Sequence, residues 1–319
     1  MRERFYNLFK NFITILLFFT VIFSINLLIN YEICVAKNVN RLNVGGNGEF
    51  NYSSIQEAVF DSVNGDTIFV YPGVYYENIV INKSISLLGL DKNNVSINGE
   101  DGIYSILVKS YGILISGFTI RNSNVGILIS GKDFEFCNIS DNIFTNNSEA
   151  IRLINTSNNN IFRNLITNHS NFGIVLYNSK ENVFFKNTIV DNKRGIYLGR
   201  WSNNNLIFEN NFTNYNYGLN LDYSFNNQII DNLIQNGDYG IYLSNSKNNN
   251  ITNNYIFYNE QSGIYISNSD ENNLSSNIFL NNNQDINKKT NPPNIKTPGF
   301  EILLLILIII IITLIKKEK

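Results

Sequence analysis

Residues 187–232 read NTIVDNKRGIYLGRWSNNNLIFENNFTNYNYGLNLDYSFNNQIIDN, and this stretch holds the same sequence pattern twice. In the first copy, Asn187 precedes a large apolar residue, Ile189, by two positions. A glycine followed by apolar, variable and apolar residues comes next, in Gly195-Ile196-Tyr197-Leu198. This alternation has the period of a β-strand with one buried face. The pattern therefore predicts short strands separated by turns.

The pattern recurs every 22 or 23 residues between residues 126 and 279, apart from an interval of 24 between its first two small residues. Its small residue stands at Gly126, Ala150, Gly173, Gly195, Gly218, Gly240 and Gly263. Its asparagine stands at Asn142, Asn164, Asn187, Asn210, Asn232, Asn254 and Asn277. A third marker pairs an amide with an apolar residue, at Asn138-Ile139, Asn160-Ile161, Asn182-Val183, Asn205-Leu206, Gln228-Ile229, Asn250-Ile251 and Asn273-Leu274. Three strands per repeat without a helical stretch predict an all-β, right-handed parallel β-helix, with one coil per repeat.

A leucine-rich repeat is the alternative fold, because its period and its use of asparagine overlap with this pattern. Such repeats devote about half of each unit to helix or 3₁₀ structure. The intervening segments here, such as Ser246-Lys247-Asn248-Asn249-Asn250, are turn-forming and too short for a helix. The sequence therefore favours the β-helix.

The recurring asparagine predicts a structural ladder inside the rod. The residue between it and the apolar residue varies freely, so the asparagine points inward. Neighbouring coils lie about 4.8 Å apart, which lets each side-chain amide donate to the amide carbonyl of the next coil. Asparagine also tolerates the left-handed conformation that tight corners require.

We expect a short helix to cover the first coil, because an exposed sheet edge invites pairing with other chains. Ser54, with Glu57 three residues later, has the form of a capping box. One face of the helix would carry Ile55, Ala58, Val59 and Val63. The helix is therefore predicted from Ser54 to Val63. No comparable cap follows Phe279.

Both ends of the chain carry hydrophobic segments, which predict terminal hydrophobic helices. Residues 1–36 combine basic residues, an apolar run and a small-residue exit at Ala36, as in a signal peptide or an N-terminal membrane segment. The β-helix is assigned to residues 41–285, a polar linker to 286–299 and a C-terminal hydrophobic anchor to 300–319. This organisation predicts an exported protein that a membrane segment or a lipid holds at the cell surface.

The C-terminal anchor begins with a short motif. Pro298-Gly299-Phe300, followed by an apolar segment and a basic tail, resembles the PGF-type archaeal sorting signal. The resemblance implies removal of the tail and transfer of the chain to a lipid. A plain C-terminal membrane helix is the alternative, and it predicts the same location.

The start of the chain resembles known β-helix proteins. The similar runs are Val44-Gly45-Gly46-Asn47-Gly48, Tyr52-Ser53-Ser54-Ile55-Gln56-Glu57-Ala58, Gly65-Asp66-Thr67-Ile68 and Tyr71-Pro72-Gly73-Val74-Tyr75. They resemble the opening of pectin-lyase-like right-handed parallel β-helix proteins, and most closely the NosD-like branch with its carbohydrate-binding and sugar-hydrolase repeats. The resemblance extends from about Val44 to Phe279. It implies the fold and leaves the activity open, because one scaffold hosts esterases, lyases, hydrolases and non-enzymatic proteins.

The sequence offers few groups for catalysis or metal binding. A net charge of −2 lacks the basic footprint of a nucleic-acid binder. Copper handling, which the NosD resemblance implies, needs His, Met or Cys ligands, and the mature chain has Cys137 and His169, the latter in an apparently exposed corner. Glycoside hydrolysis needs two converging carboxylates, and Asp222 stands alone on its strand face. We therefore expect no catalytic residues, metal, cofactor or nucleic-acid partner.

The outward face of the Gly-Ile strand carries a stripe that suits glycan binding. Its candidate residues are Arg152, Tyr177, Tyr197, Trp201, Asn220, Asp222, Tyr242 and Tyr265. Aromatic faces beside amide and charged groups match sugar rings, which have an apolar face and hydroxyl edges. The alternative is that tyrosine is simply common in strands and stacks on itself between coils.

These features predict an envelope or adhesin-like component at the cell surface, with polysaccharides or cell-envelope glycans as partners. A polysaccharide-active lyase or hydrolase on the same scaffold is the first alternative. A NosD-like copper accessory protein is the second, and it lacks the His, Met and Cys ligands that copper needs.

Overall fold

The computed structural model describes residues 40–48 and 51–289, which form a right-handed parallel β-helix of about eleven turns with one short helix. The helix is α1 (Ile55–Asp61). The strands are β1 (Arg41–Val44), β2 (Thr67–Val70), β3 (Gly73–Tyr76), β4 (Ile79–Ile81), β5 (Ser86–Gly89), β6 (Val95–Val108), β7 (Leu114–Ser116), β8 (Thr119–Ser130), β9 (Asn138–Ser140), β10 (Ile143–Thr145), β11 (Glu149–Ile154), β12 (Asn160–Phe162), β13 (Leu165–Thr167), β14 (Phe172–Tyr177), β15 (Val183–Phe185), β16 (Thr188–Val190), β17 (Arg194–Gly199), β18 (Leu206–Phe208), β19 (Asn211–Asp222), β20 (Gln228–Ile230), β21 (Leu233–Ser244), β22 (Asn250–Thr252), β23 (Tyr255–Phe257), β24 (Ser262–Ser267), β25 (Ile278–Leu280) and β26 (Ile286–Lys289).

The signal segment and the terminal hydrophobic helices expected from the sequence lie outside the described residues. The same is true of the PGF motif at Pro298, Gly299 and Phe300. Within residues 40–48 and 51–289, no helix has the length and apolar character needed to cross a bilayer.

Each coil crosses three faces of the rod. The first face is a ten-stranded sheet in the order β1-β2-β5-β7-β9-β12-β15-β18-β20-β22. The second face, which includes β13 and β16, and the third face, which includes β14 and β17, form one sixteen-stranded sheet. They are joined because β6, β8, β19 and β21 run from the second face onto the third. Strands pair in parallel with their counterparts one repeat later, as Ile174 does with Ile196.

The inward side chains fill the rod with one continuous apolar core of isoleucine, leucine, valine and phenylalanine. The small residue of the first marker stands where consecutive coils approach each other most closely. A Cβ on Gly195 would lie 2.3 Å from the carbonyl oxygen of Gly218 and 2.8 Å from the ring of Phe212. Larger residues at this position would therefore separate the coils.

The seven asparagines of the second marker form one column at the corner between the first and second faces. Each side-chain Nδ2 donates to the Oδ1 of the next asparagine at 3.0–3.3 Å. Asn210 also donates to the carbonyl oxygen of Phe184 at 3.0 Å, and its Oδ1 accepts the backbone N–H of Asn187 at 3.0 Å. The column therefore satisfies polar groups that would otherwise be unpaired inside the rod.

A second, unpredicted column lies just before the first face. It consists of Asn159, Asn182, Asn205, Asn227, Asn249 and Asn272, with Nδ2–Oδ1 distances of 3.0–3.1 Å. The third sequence marker combined asparagines from two different positions of the coil, one just before the strand and one at its first residue. Asn182 and Asn205 belong to this buried column, whereas Asn160 begins β12 and is half-exposed.

A third column lies at the corner between the second and third faces. It runs through Ser123, Asn147, His169, Asn192, Tyr215, Gly237, Asn259 and Asn282. The prediction that His169 occupies an exposed corner is wrong, because this residue is 3% exposed and takes the place of a ladder asparagine. Its Nδ1 accepts the backbone N–H of Asn147 at 3.2 Å, whereas its Nε2 has no hydrogen-bond partner. Burial lowers the pKa of His169 to about 4, although backbone hydrogen bonds act in the opposite direction.

Tyr215 also replaces an asparagine in this third column, and it spans two coils. Its hydroxyl donates to Oδ1 of Asn259 at 2.9 Å. The intervening coil contributes Gly237, where a Cβ would lie 1.9 Å from the tyrosine ring. The large side chain and the glycine therefore require each other.

Polar and charged partners hold both ends of α1. The Ser54 hydroxyl accepts the backbone N–H of Glu57 at 3.2 Å, and the carboxylate of Glu77 accepts the first two helical N–H groups at 2.9 and 2.8 Å. Lys83 donates to three carbonyl oxygens at the other end. These charges match the helix dipole. The predicted end of the helix is wrong, because Val63 lies two residues beyond it and is 56% exposed.

Left-handed residues and ion pairs occupy the corners. Among the described residues, thirty non-glycine residues have a positive φ, and fifteen of them are asparagine. At the corner between the first and second faces, Arg163 contacts Asp141 at 2.7 Å and Lys186 contacts Glu209 at 3.5 Å. The hydrogen bond from Arg163 lowers the pKa of the Asp141 carboxyl.

The C-terminal end of the rod lacks a covering helix within the part of the chain that is described. β26 pairs with β24 and lies in the segment 286–299, which the sequence had assigned to a linker. Leu274 and Phe279 are only partly buried, and Ile278 is 50% exposed. The two ends of the rod therefore differ.

Candidate functional site

A depression of about 340 Å³ opens on the third face, and we call it the third-face depression. It is lined by Phe172, Tyr177, Arg194, Tyr197, Asn220, Asp222, Tyr242 and Ser244. These residues come from β14, β17, β19 and β21, which are consecutive coils of the rod. Their side chains are outward-facing members of strands whose alternate residues fill the core.

The depression exists because one coil carries a short side chain between two aromatic ones. Tyr197 pairs with Asn220 in the next coil, and Asn220 pairs with Tyr242 in the one after. The two tyrosines are therefore about 9.6 Å apart along the rod, at about 4.8 Å per coil. Tyr242 stacks on Tyr265 at 4.8 Å between ring centroids and 12° between planes. Tyr217, from the same strand as Asn220, contacts the ring of Tyr242 at 5.4 Å in a nearly perpendicular arrangement.

A second outward column deepens the depression. It contains Tyr177 and, one coil later, Gly199, followed by Asp222 and Ser244. A Cβ on Gly199 would lie 2.7 Å from the ring of Tyr197 and 2.9 Å from that of Tyr177. Both rings therefore lie over the glycine, 5.9 Å apart and nearly perpendicular at 71°.

Two charged side chains stand at opposite sides of the depression. The guanidinium of Arg194 lies 5.0 Å from the ring centroid of Phe172 and 5.6 Å from that of Tyr217, within the range of cation–π contacts. On the other side, Oδ2 of Asp222 accepts a hydrogen bond from the hydroxyl of Tyr197 at 3.3 Å. The site therefore combines aromatic surface with a cation and a carboxylate.

The tyrosines of the depression act as hydrogen-bond donors at neutral pH. Burial, with the nearby charge of Asp222, raises the pKa of Tyr197 to about 12, although Arg194 acts in the opposite direction. Burial also raises the pKa of Tyr177 and of Tyr242. A tyrosine that abstracts a proton needs a lowered pKa. These side chains are therefore suited to binding hydroxyl groups and poorly suited to general-base chemistry.

Five of the eight glycan candidates meet in the depression, namely Tyr177, Tyr197, Asn220, Asp222 and Tyr242. The other three lie elsewhere. Arg152 forms a bidentate ion pair with Glu149 at 2.6 Å for both contacts, and Tyr265 lies one coil beyond, stacked on Tyr242. Trp201 is 58% exposed at the corner after β17.

Three residues of the depression were missed by the sequence prediction. Phe172 and Arg194 each precede the small residue of the first marker by one position, and Ser244 ends β21. Tyr217 stands in the same column as Phe172 and Arg194, and it also precedes a glycine, Gly218. The missed signal was therefore the residue immediately before each glycine.

Most other aromatic rings on the rod cover each other. Phe162, Phe185 and Phe208 on the first face stack at 4.8 and 5.1 Å with planes within 8°. Tyr217 and Tyr239 stack in the same way at 5.3 Å. In such stacks the ring faces are occupied by neighbouring rings. This observation supports the self-stacking alternative for those residues, whereas in the third-face depression Asn220 interrupts the aromatic column between Tyr197 and Tyr242.

A larger depression of about 640 Å³ lies beside α1. Two of its carboxylates, Glu57 and Asp61, are four residues apart on the helix, so their Cβ atoms are about 5–6 Å apart. Asp61 accepts a hydrogen bond from the hydroxyl of Tyr52 at 3.1 Å, and Glu57 accepts one from Ser53 at 3.1 Å. Glu57 and Asp61 therefore lie in one depression, whereas Asp222 is the one carboxylate among the residues that line the third-face depression.

The described residues do not fit a copper site. The whole chain has one histidine, two cysteines and one methionine. His169 and Cys137 are both buried, and burial raises the pKa of the Cys137 thiol to about 11. Within residues 40–48 and 51–289, no three His, Cys, Asp or Glu side chains are grouped to hold a metal ion. His169 serves the ladder with Nδ1, and its position inside the column keeps it from solvent.

Solved structures share the fold at low sequence identity. An alginate lyase from Paenibacillus sp. str. FPU-7 has a TM-score of 0.56 at 14% identity, covering 73% of this chain and 96% of that one. The enzymatically active domain of tailspike protein 2 from bacteriophage CBA120 has a TM-score of 0.61 at 15% identity, covering 80% and 46%. The DFA-IIIase of Arthrobacter chlorophenolicus A6 has 0.59 at 15% identity, covering 82% and 79%. These likenesses show the fold alone.

Sequence comparisons are more specific. A cell surface glycoprotein of Methanothermus fervidus is 36% identical over 100 residues, which are 30% of this chain and 16% of that protein. The match thus spans only a small part of the relative's length. The family described as periplasmic copper-binding protein (NosD) matches residues 59–219 and 201–296. Because this match covers more than half of the chain, the protein belongs to the NosD family.

Proposed function

We propose that this protein is a surface-displayed β-helix of the cell envelope that binds glycans in the third-face depression. The observation that carries the proposal is the gap at Asn220, a short side chain in the coil between those of Tyr197 and Tyr242, and both tyrosines line the depression. Sugar rings pack their apolar face on aromatic side chains and offer hydroxyl groups at their edges. Asn220, Asp222 and the Tyr197 hydroxyl supply partners for those edges.

A glycan array and titration calorimetry test this proposal. Replacement of Tyr197 and Tyr242 by alanine together is expected to abolish glycan binding, because both aromatic rings are lost. Phe185→Ala is the matched control, since Phe185 lies in a closed stack on the first face. Absence of glycan binding by the parent protein would remove the binding role and leave a structural one.

The surface location is part of the same proposal. Support comes from the related protein, whose name is cell surface glycoprotein. Residues 1–36 would direct export, and residues 300–319, with the motif Pro298-Gly299-Phe300, would attach the chain to the membrane or to a lipid. Mass spectrometry of the protein from its native host would reveal both cleavage sites and any lipid.

A polysaccharide-active enzyme is the second candidate, and the pair Glu57 and Asp61 beside α1 favours it. Retaining glycosidases place two carboxyl groups about 5–5.5 Å apart, and the spacing of four residues puts Glu57 and Asp61 on one side of α1. Release of reducing ends from a polysaccharide by the parent protein, lost in both Glu57→Gln and Asp61→Asn, would establish this activity. Lack of release across acidic and neutral polysaccharides would leave the binding function alone.

A further inference from the structure

The charge of Arg194 is not neutralised by any carboxylate in the described part of the chain. Its Nη1 donates to Oδ1 of Asn171 at 3.2 Å. Its Nε is buried and has no hydrogen-bond partner. The guanidinium lines the third-face depression, where a bound anion would supply the charged partner that it lacks.

Two other arginines of the rod, Arg152 and Arg163, show the contrast. Arg152 contacts Glu149 at 2.6 Å through two nitrogens, and Arg163 contacts Asp141 through two nitrogens at 2.9 and 2.7 Å. In both pairs the planar guanidinium meets a carboxylate in the bidentate geometry that it prefers. Arg194 is placed beside the depression without such a partner.

Asp222 does not take this role. It stands five residues along the strand from the position that pairs with Arg194, which is roughly 16 Å at about 3.3 Å per residue. That separation exceeds the screening length of about 8 Å at physiological ionic strength. An anion held by Arg194 therefore meets little repulsion from Asp222.

We infer that the third-face depression selects acidic glycans, an inference that rests on the proposed function. One sugar ring lies between Tyr197 and Tyr242, and a carboxylate on that ring or the adjoining one pairs with Arg194. The spacing of about 9.6 Å leaves room for one puckered ring with a van der Waals contact of about 3.5–4.0 Å on each side. Asp222 and Tyr197 bind hydroxyl groups at the other side.

The test uses the parent protein on an array that carries uronate-containing oligosaccharides beside their carboxyl-reduced, neutral counterparts. We expect the acidic member of at least one pair to bind about tenfold more tightly than its neutral counterpart. The preference should weaken as salt is raised, because exposed ion pairs are screened. Arg194→Gln should remove it, so that the acidic and neutral members bind with about equal affinity.

Two control variants show whether the preference for acidic glycans depends on the charge at Arg194 or on the net charge of the protein. Arg163→Gln removes an arginine that lies over Phe162 on the first face, and it should leave the preference unchanged. Asp222→Asn removes the carboxylate of the depression, and the preference should persist. Circular dichroism melts of all variants check that the rod remains folded.

The outcomes distinguish the two levels of the proposal. Equal binding of acidic and neutral members, or a preference that survives Arg194→Gln, overturns the inference and leaves the glycan-binding function standing. Absence of binding to every member of the array overturns the proposed function and this inference with it.

Discussion

Single residues in the interior of the rod gain their importance from the columns in which they stand. Asn142 through Asn277 could be assigned from the sequence, because an inward asparagine two residues before an apolar one recurs in register. His169 was misplaced, because its neighbours Asn168 and Ser170 are typical of a corner. The repeat spacing indicates the correct position, since His169 stands one repeat, 22 residues, after the buried Asn147.

Asn210→Leu is expected to destabilise the rod by about 1–3 kcal/mol, because the donor to Phe184 and the acceptors for Asn187 are lost while these groups stay buried. Urea unfolding followed by circular dichroism measures the change. Asn211→Leu is the control, because Asn211 is an outward residue of the same coil. Equal midpoints for Asn210→Leu and the parent would contradict an energetic role for the ladder.

Acidification should weaken the fold through His169. Its folded pKa of about 4 lies below the ordinary value of 6.5, so the unfolded chain takes up a proton first as the pH falls. The free energy of unfolding is therefore expected to fall between pH 6.5 and pH 4, by up to about 3 kcal/mol from this residue. His169→Asn, which restores the ladder side chain, should remove that part. Identical pH profiles for the two proteins would argue against it.

At the scale of the element, the strands were predictable and some of their junctions were not. Alternation placed each strand and its partner, because a one-residue shift would turn the apolar side chains outward. The long strands β19 and β21 cross from the second face to the third without a break. Most other coils have a break between the strands of the second and third faces. Tyr215 in the third column explains in part why β19 has no such break, since it fills a corner where other coils use an asparagine or histidine.

Tyr215 and Gly237 are expected to behave as a coupled pair. Gly237→Asn alone should be strongly destabilising, because its Cβ would collide with the tyrosine ring. Tyr215→Asn alone should leave a cavity beside the glycine. The double variant restores two ladder asparagines and should be more stable than either single variant, with a coupling above about 1 kcal/mol. Additive effects in thermal melts would contradict the pairing.

At the scale of the whole molecule, the rod is a stack in which each coil packs on its neighbours, and the side chain of Tyr215 reaches one coil further, to Asn259. The overall architecture was therefore the most predictable feature. The third-face depression was only partly predictable, because its shape depends on which side chain is short in one coil. Tyr197, Asn220 and Tyr242 were all identified, yet the gap among them appears only when three coils are superimposed.

Deleting residues 211–232 should shorten the rod by one coil and close the third-face depression. Asn210 would then be followed by Leu233, and Tyr197 would stack directly on Tyr242. With Gly237→Asn added to refill the place of Tyr215, we expect a folded rod that binds glycans at least about tenfold more weakly. Deleting residues 143–164 removes a coil outside the depression and should preserve binding. Retained affinity in the first deletion would place the binding site elsewhere.

The left-handed corners have a consequence for the unfolded chain. Glycine adopts a positive φ without strain, but it also enlarges the conformational freedom that must be given up on folding, by roughly 0.4–1 kcal/mol per position relative to a residue with a side chain. Asparagine supplies fifteen of the thirty non-glycine positions with a positive φ in the described part of the chain. The unfolded chain of this rod therefore has fewer accessible conformations than a chain with glycine at the same corners would have. As a result, each added coil loses less conformational entropy on folding than a coil with glycine corners.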